Sequence, residues 1–251
     1  MGLLNQALHV VDESDLILLM IDARFPSFSR NALIEKVIEN KKKQGVFVIN
    51  KIDLVDQEKL DEIKKIFAGK KLVFISSKKR MGSKFLRLLI SIEAKKANKE
   101  RFIIGVTGYP NTGKSSLINL LSGRGSARVS NQAGFTRGRQ LIRLKDGIYL
   151  LDSPGVIPFN ENDSFKLVLF NALSINQLKD TEQSALELLE FTKKEKPDFL
   201  VEQGLSLKEI NSCSGDELLD LIALKKNLKL KGNKPNTKLA SIKIIQEWQK
   251  N

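Results

Sequence analysis

The run Gly108-Tyr109-Pro110-Asn111-Thr112-Gly113-Lys114-Ser115 reads G-x-x-x-x-G-K-S, the spacing of a phosphate-binding P-loop. Its glycines let the main chain turn close to an anion, so that successive N–H groups converge on phosphate oxygens. Lys114 is placed to reach the β- and γ-phosphates, and the Ser115 hydroxyl to ligate Mg²⁺. Asn111, Thr112, Gly113, Lys114, Ser115 and Ser116 are thus the candidate phosphate-site residues. Upstream stands Asn50-Lys51-Ile52-Asp53, an N-K-x-D sequence. The Asp53 carboxylate can accept two hydrogen bonds, from guanine N1–H and N2–H. Adenine presents an acceptor at N1 and would leave a buried carboxylate unpaired. Asn50 is expected on the O6/N7 side of the base. The Lys51 stem is expected over the ring, with its ammonium in water. Ser76-Ser77-Lys78 resembles the S-A-K loop, whose backbone N–H meets O6. Downstream, Asp152-Ser153-Pro154-Gly155 reads D-x-x-G, with Asp152 for Mg²⁺ and Gly155 to sense the γ-phosphate. Thr136 is the candidate switch threonine, closing its hydroxyl onto the same ion.

These residues need elements that bring them to one edge. Leu16 to Ile21 and Val46 to Ile49 are continuous apolar runs of the parallel-sheet type, and each ends at a polar motif: Asp22-Ala23-Arg24-Phe25-Pro26 and Asn50-Lys51-Ile52-Asp53. Leu72 to Ile75 ends at Ser76-Ser77-Lys78, and Phe102 to Thr107 feeds the P-loop. Helices are expected from about Asn31 to Lys43, Gln57 to Phe67, Ser83 to Lys96 and onward from Ser115, after an amphipathic opening helix that carries His9. Ser122 to Arg139, rich in Gly, Ser and Arg, reads as a loop; Gln140–Leu144 and Ile148–Leu151 read as a hairpin around Asp146-Gly147. Strands alternating with helices make residues 1–160 an α/β domain with a parallel-type sheet. Residues 161–251 carry only helical signals: Ser164 to Leu178, Thr181 to Lys194, a turn near Ser206, a capping box at Ser214-x-x-Glu217, and a last helix capped by Asn236.

The chain has 251 residues, 41% of them hydrophobic, enough for a real core. Its net charge of +13 exceeds what a small nucleotide requires and points to a polyanion such as RNA. The single cysteine, Cys213, excludes an intramolecular disulfide and fits a reducing compartment, read here as the cytoplasm. No apolar run is long enough to cross a bilayer, so no membrane partner is expected.

In ordinary GTPases the P-loop comes first and the base-recognition motifs last. Here N-K-I-D and S-S-K precede the P-loop, the threonine and D-S-P-G. This order resembles the circularly permuted GTPases of the YlqF/YawG type, which act in ribosome assembly. The resemblance extends to Asp22-Ala23-Arg24-Phe25-Pro26-x-x-Ser29-Arg30-Asn31, like that family's D-A-R-x-P-x-x-S-R-N segment, and to Lys231–Asn236 with the helix to Trp248. Val156 stands where many GTPases carry a water-orienting glutamine. The family shares the apolar residue, and the resemblance implies hydrolysis aided by K⁺ held partly by Asn111. The catalytic set is then Lys114, Asn111, Thr136 and Gly155. Some bacterial members carry a hydrolytic histidine ahead of the domain; His9 lies too close to the first strand to match it. The family's P-G-T-T is also replaced by Ala133-Gly134-Phe135-Thr136.

The resulting expectation is a monomeric GTPase, slow alone and stimulated by ribosomes, that binds GTP/GDP, Mg²⁺ and K⁺. It binds rRNA of a large-subunit precursor through residues 161–251, whose lysines gather after Lys225. Two readings compete. One is an RNA-binding scaffold that holds GTP as a structural ligand. The other is a small-molecule kinase, disfavoured by N-K-I-D together with D-S-P-G.

Overall fold

The structure is a computed structural model, and it describes residues 3–123, 128–129, 140–145, 147–152 and 164–250. Thr136, Asp146, Ser153, Pro154, Gly155 and Val156 lie outside them. The chain forms two compact units, Met1–Phe159 and Asn160–Asn251.

The first unit is built on a seven-stranded sheet in the order β3-β2-β1-β4-β7-β6-β5. Its strands are β1 (Leu16–Asp22), β2 (Gln44–Asn50), β3 (Leu72–Phe74), β4 (Phe102–Gly108), β5 (Arg128–Val129), β6 (Gln140–Lys145) and β7 (Ile148–Asp152). β1 to β4 and β7 run parallel, while β6 and β5 pair antiparallel at one side. β1 is central, with every residue buried, which explains its uninterrupted apolar run. Its alternate side chains serve two cores. Leu16, Leu18 and Met20 join Leu86, Ile90, Leu117 and Leu121 of α4 (Ser83–Ala97) and α5 (Lys114–Ser122). Ile17, Leu19 and Ile21 join Ile34, Ile38 and Ile63 of α2 (Ala32–Asn40) and α3 (Gln57–Ile66). The opening helix α1 (Leu3–Glu13) contributes Val10 and Val11 to the core.

From the P-loop strand β4 the sheet grows one way through β1, β2 and β3 and the other way through β7. The carboxyl ends on both sides therefore open into one crevice at the point where strand order reverses. Asp22 lies opposite Asn50, and Met20 opposite Gly108. One expectation changes here. Arg128–Val129, read as part of a loop, pairs with Leu141 and Ile142 as a short edge strand.

The second unit packs α7 (Thr181–Glu195) against α10 (Gly215–Lys225) and α11 (Thr237–Lys250). Trp248 sits edge-on to Phe191 and Phe199, and its indole N–H donates to the Leu169 carbonyl at 3.2 Å. The Ser214/Glu217 capping box forms, and Asn236 caps α11 through the Leu239 N–H at 3.0 Å. The single helix expected over Ser164–Leu178 is instead α6 (Ser164–Leu169) and a separate 3-10 turn at Ile175–Gln177. Asn171 takes φ +54°, and the Ala172 N–H folds back to the Leu167 carbonyl at 2.7 Å, which ends the helix. Pro197 is the first residue of α8 (Pro197–Glu202), where its missing N–H costs nothing. The turn near Ser206 is the short helix α9 (Leu207–Ser212).

Candidate functional site

The phosphate end forms where β4 stops at Gly108 and α5 starts at Lys114. Both glycines of the motif are required by shape. Gly108 has φ +150°, and a Cβ there would lie 2.8 Å from the Met20 carbonyl oxygen. Gly113 has φ +100°, and a Cβ would meet Asn50 Nδ2 at 2.1 Å. Thr112 is buried, and its hydroxyl donates to the Tyr109 carbonyl at 2.7 Å, bracing the loop from inside. Asn111, at φ +57°, and the exposed Ser115 and Ser116 line the cleft. The Lys114 ammonium donates to the carbonyls of Gly108 and Tyr109 at 2.8 and 2.6 Å. It is 9% exposed and, among the described residues, has no carboxylate partner. Burial alone pulls its pKa down to about 8. A buried cation at a helix N-terminus, with only carbonyls as acceptors among the described residues, is suited to receive an anion.

At the base end the loops after β2 and β3 are locked to each other and to the P-loop. Asn50 is the link. Its Nδ2 donates to the Thr112 carbonyl at 2.8 Å, and its Oδ1 accepts the Ser77 N–H at 3.0 Å. The sequence placed this amide against O6/N7 of the base. The structure commits both its ends to protein, which makes it a brace between loops. Asp53 lies in a 3-10 turn, Ile52–Leu54, and lines the cleft with its carboxylate 6% exposed. A hydrogen bond from the Ser76 hydroxyl holds its carboxyl below the ordinary aspartate range, helped by Lys79. Lys78 lines the same cleft. The Ser77 hydroxyl is buried without a hydrogen-bond partner among the described residues.

Lys51 departs from expectation as well. Its ammonium is not in water; it pairs with Asp22 Oδ2 at 2.8 Å, with the lysine side chain 22% exposed. Asp22 and Arg24, noted in the sequence for their place at a strand end but given no role, therefore belong to this site. Arg24 Nη2 meets Asp22 Oδ2 at 3.0 Å, and its Nε meets Oδ1 at 3.1 Å. Burial opposes ionisation of Asp22, but Arg24 and Lys51 outweigh it and keep the carboxyl below its usual range. Burial pushes the Lys51 ammonium down, with Asp22 opposing. The sequence signals for this network were an acid and a base closing a buried strand and the resemblance of that stretch to the D-A-R-x-P segment.

The two ends face one cleft of about 850 Å³ lined by Arg24, Asn50, Lys51, Asp53, Lys78, Lys114 and Ser115 among others. That volume lies within the ~300–1,000 Å³ of small-molecule sites. It joins a carboxylate for base donors to a main-chain cradle and an unneutralised ammonium for phosphates, which fits a purine nucleotide. Of the three residues assigned to Mg²⁺, Ser115 is in this cleft, and Asp152 is the last residue of β7, beside β4. Thr136 lies outside the described residues, as does Gly155. Among the described residues no His, Cys, Asp and Glu cluster is arranged to hold a metal by itself.

Comparison with known proteins adds ancestry to this geometry. The 50S ribosome-binding GTPase family matches residues 103–203, beginning at the P-loop strand and leaving out the base-recognition loops, as a permuted order requires. An uncharacterized GTP-binding protein of Methanocaldococcus jannaschii is 36% identical over 96% of this chain and 63% of its own length. The GTPase grn1 of Schizosaccharomyces pombe is 30% identical over 95% of this chain and 58% of its own. Nuclear/nucleolar GTPase 2 of Arabidopsis thaliana is 30% identical over 96% and 42%. This chain therefore spans only part of the length of each of them, 63% at most. GNP-bound YlqF from T. maritima shares the fold with a TM-score of 0.59, at 21% identity over 98% of this chain and 92% of that one. The cytoplasmic expectation does not survive. Relatives whose names state a compartment are nuclear or nucleolar. The inference rested on one cysteine, and the nucleus keeps thiols reduced as the cytosol does.

Proposed function

We propose that the chain is a circularly permuted P-loop GTPase of the YlqF/YawG type that hydrolyses GTP to GDP and phosphate in assembly of the large ribosomal subunit. The observation that carries this reading is Lys114: a buried ammonium with no carboxylate partner among the described residues, facing a cleft whose far end holds the Asp53 carboxylate. Asp53 accepts from guanine N1–H and N2–H, and the loop Ser76-Ser77-Lys78 closes the base edge. Asn50 braces those loops, and the Lys51 stem covers the ring. Lys114 turns from the Gly108 and Tyr109 carbonyls to the β- and γ-phosphates, and the N–H groups of Gly113 to Ser116 hold the phosphate oxygens. Mg²⁺, held by Ser115, Thr136 and Asp152, would neutralise charge between those phosphates. The Thr136 hydroxyl would close onto that ion, and the Gly155 N–H would sense the γ-phosphate. Asn111 helps to hold K⁺, which supplies positive charge where Val156 provides no glutamine.

Residues 161–251 form the RNA-binding part in this reading. Lys229, Lys231, Lys234 and Lys238 are exposed on and beside the loop between α10 and α11. The test is GTP turnover with and without large ribosomal particles, in K⁺ and in Na⁺. Faster turnover with particles and with K⁺ is expected. GTP bound tightly but never hydrolysed under any of these conditions would favour the scaffold reading, and a preference for ATP the kinase. Reversal of Lys226, Lys229 and Lys231 to Glu should weaken particle binding while sparing GTP affinity.

A further inference from the structure

The Asp22 carboxylate is wholly buried, yet it cannot be a ligand for the nucleotide. A carboxylate offers about four acceptor sites, and protein donors take all of them. Oδ1 accepts the Arg24 main-chain N–H at 3.0 Å and Arg24 Nε at 3.1 Å. Oδ2 accepts Arg24 Nη2 at 3.0 Å and Lys51 Nζ at 2.8 Å. Three of the four donors belong to Arg24, two residues along the same chain. Their fork fixes the plane of the carboxylate and leaves one direction open. Lys51 fills that direction from the neighbouring strand's end.

The backbone around this contact is equally determined. Asp22 is the register partner of Asn50, the Ala23 N–H donates to the Asn50 carbonyl at 2.9 Å, and the Ser29 hydroxyl accepts the Asp22 N–H at 3.1 Å. Lys51 itself takes φ +63°, a left-handed conformation that a β-carbon disfavours and that persists only where its surroundings hold it. A lysine stem at a cleft mouth otherwise carries its ammonium to water. Here the carboxylate sets where that long side chain lies before any base arrives, which removes an ordering cost from binding.

We propose that Asp22 is a positioning residue for base recognition. It acts through Lys51, with Arg24 as the fork that aims its carboxylate. This rests on the guanine-nucleotide reading above. It predicts that Asp22→Asn, nearly isosteric, weakens GDP binding by tenfold or more. Lys51→Met should do the same. The Asp22→Asn, Lys51→Met double variant should be no weaker than the worse single one, because one residue works through the other. Inorganic pyrophosphate, which has no base, should compete equally well in all four proteins. The measurements are GDP affinity, pyrophosphate competition, and the thermal melt of each nucleotide-free protein. Losses that multiply in the double variant would show Asp22 acting independently of Lys51 and overturn the proposal. So would an equal loss of pyrophosphate affinity, which places the effect on the whole site, or an Asp22→Asn protein that binds GDP as the parent does. A parent chain that prefers ADP to GDP would instead defeat the guanine reading itself. Should Asp22→Asn fail to fold, Arg24→Met supplies the second route. It frees the carboxylate from its fork and should weaken GDP while leaving pyrophosphate unchanged; unchanged GDP affinity there overturns the proposal.

Discussion

At the base end of the cleft each buried carboxylate is answered by protein. Asp22 takes Arg24 and Lys51, and Asp53 takes the Ser76 hydroxyl with Lys79 nearby. At the phosphate end Lys114 is buried against carbonyl oxygens with no carboxylate among the described residues. One end has its charges paired before a ligand arrives; the other, among the described residues, holds a cation without a counter-charge. Base contacts then cost little reorganisation and act mainly on which nucleotide enters. Phosphate contacts relieve a strained cation and act mainly on how tightly any nucleotide is held.

The sharpest way to break this contrast is Lys114→Met. It should weaken GDP and GTP about a thousandfold, since removing one partner of a buried charged contact costs about 3–5 kcal/mol. Nucleotide-free protein should at the same time become more resistant to heat, because a desolvated ammonium has gone. Affinity and stability thus move in opposite directions, read by titration calorimetry and by hydrogen exchange of β4. Loss of both together would show that Lys114 is an ordinary structural residue.

At the other end, Asp53→Asn should weaken GTP about a hundredfold and leave phosphate-only ligands alone, as the loss of two charge-assisted hydrogen bonds requires. It should gain xanthosine nucleotides, which present a carbonyl where guanine has its amino group. Unchanged GTP affinity in this variant would end the guanine assignment.

A smaller effect follows from the Lys114 pKa. It is about 8 in the folded chain and 10.5 for an ordinary lysine, so the folded state binds fewer protons between those values. The cost of burying the charge is complete below pH 8, and stability of the nucleotide-free chain rises from pH 8 towards 10.5. Phosphate binding requires the ammonium, so GDP affinity should fall up to tenfold per pH unit above 8 and stay flat below it. Lys114→Arg, which keeps its charge throughout, should bind more weakly but lose the slope between pH 7.5 and 9. The same slope in that variant would assign the titration elsewhere.

What the sequence could disclose followed the same division. The phosphate end is local: a glycine pattern, a strand before it and a helix after it, all within one short run, although the neighbours that exclude a Cβ at Gly108 and Gly113, Met20 and Asn50, come from β1 and β2. The sheet was legible because β1 and β2 are continuous apolar runs that only a central parallel position explains. The base end is assembled from three separate stretches. That Asn50 would spend both ends of its amide on Thr112 and Ser77, or that Asp22 would capture Lys51, depends on the adjacency of β1, β2 and β4, which no spacing reveals. In the second unit the Ser214/Glu217 capping box was visible as a residue pair. The break at Asn171 was not, since a left-handed asparagine leaves no mark on helical periodicity. Cysteine count failed for localisation because it reports redox state and nothing finer.

The smallest expected effect tests whether the base end is as complete as the contrast requires. Among the described residues the exception there is Ser77, whose hydroxyl is buried without a hydrogen-bond partner although its N–H is held by Asn50 at 3.0 Å. An unsatisfied buried hydroxyl costs about 1–3 kcal/mol, and deleting its oxygen, as alanine does, removes that cost with the loss of a single atom's packing. Ser77→Ala should therefore stabilise the first unit by roughly 1 kcal/mol. Because the main-chain N–H is kept, nucleotide affinity and GTP preference should stay within about twofold. The only tryptophan, Trp248, lies in the second unit, so its fluorescence reports the wrong part of the chain. Hydrogen exchange at β2 and β3 reads the right one, and slower exchange there with unchanged GDP binding is the expected result. A variant that is no more stable and binds GDP markedly more weakly would give the Ser77 hydroxyl a partner in the bound state. The base end would then be, like the phosphate end, a surface completed by its ligand.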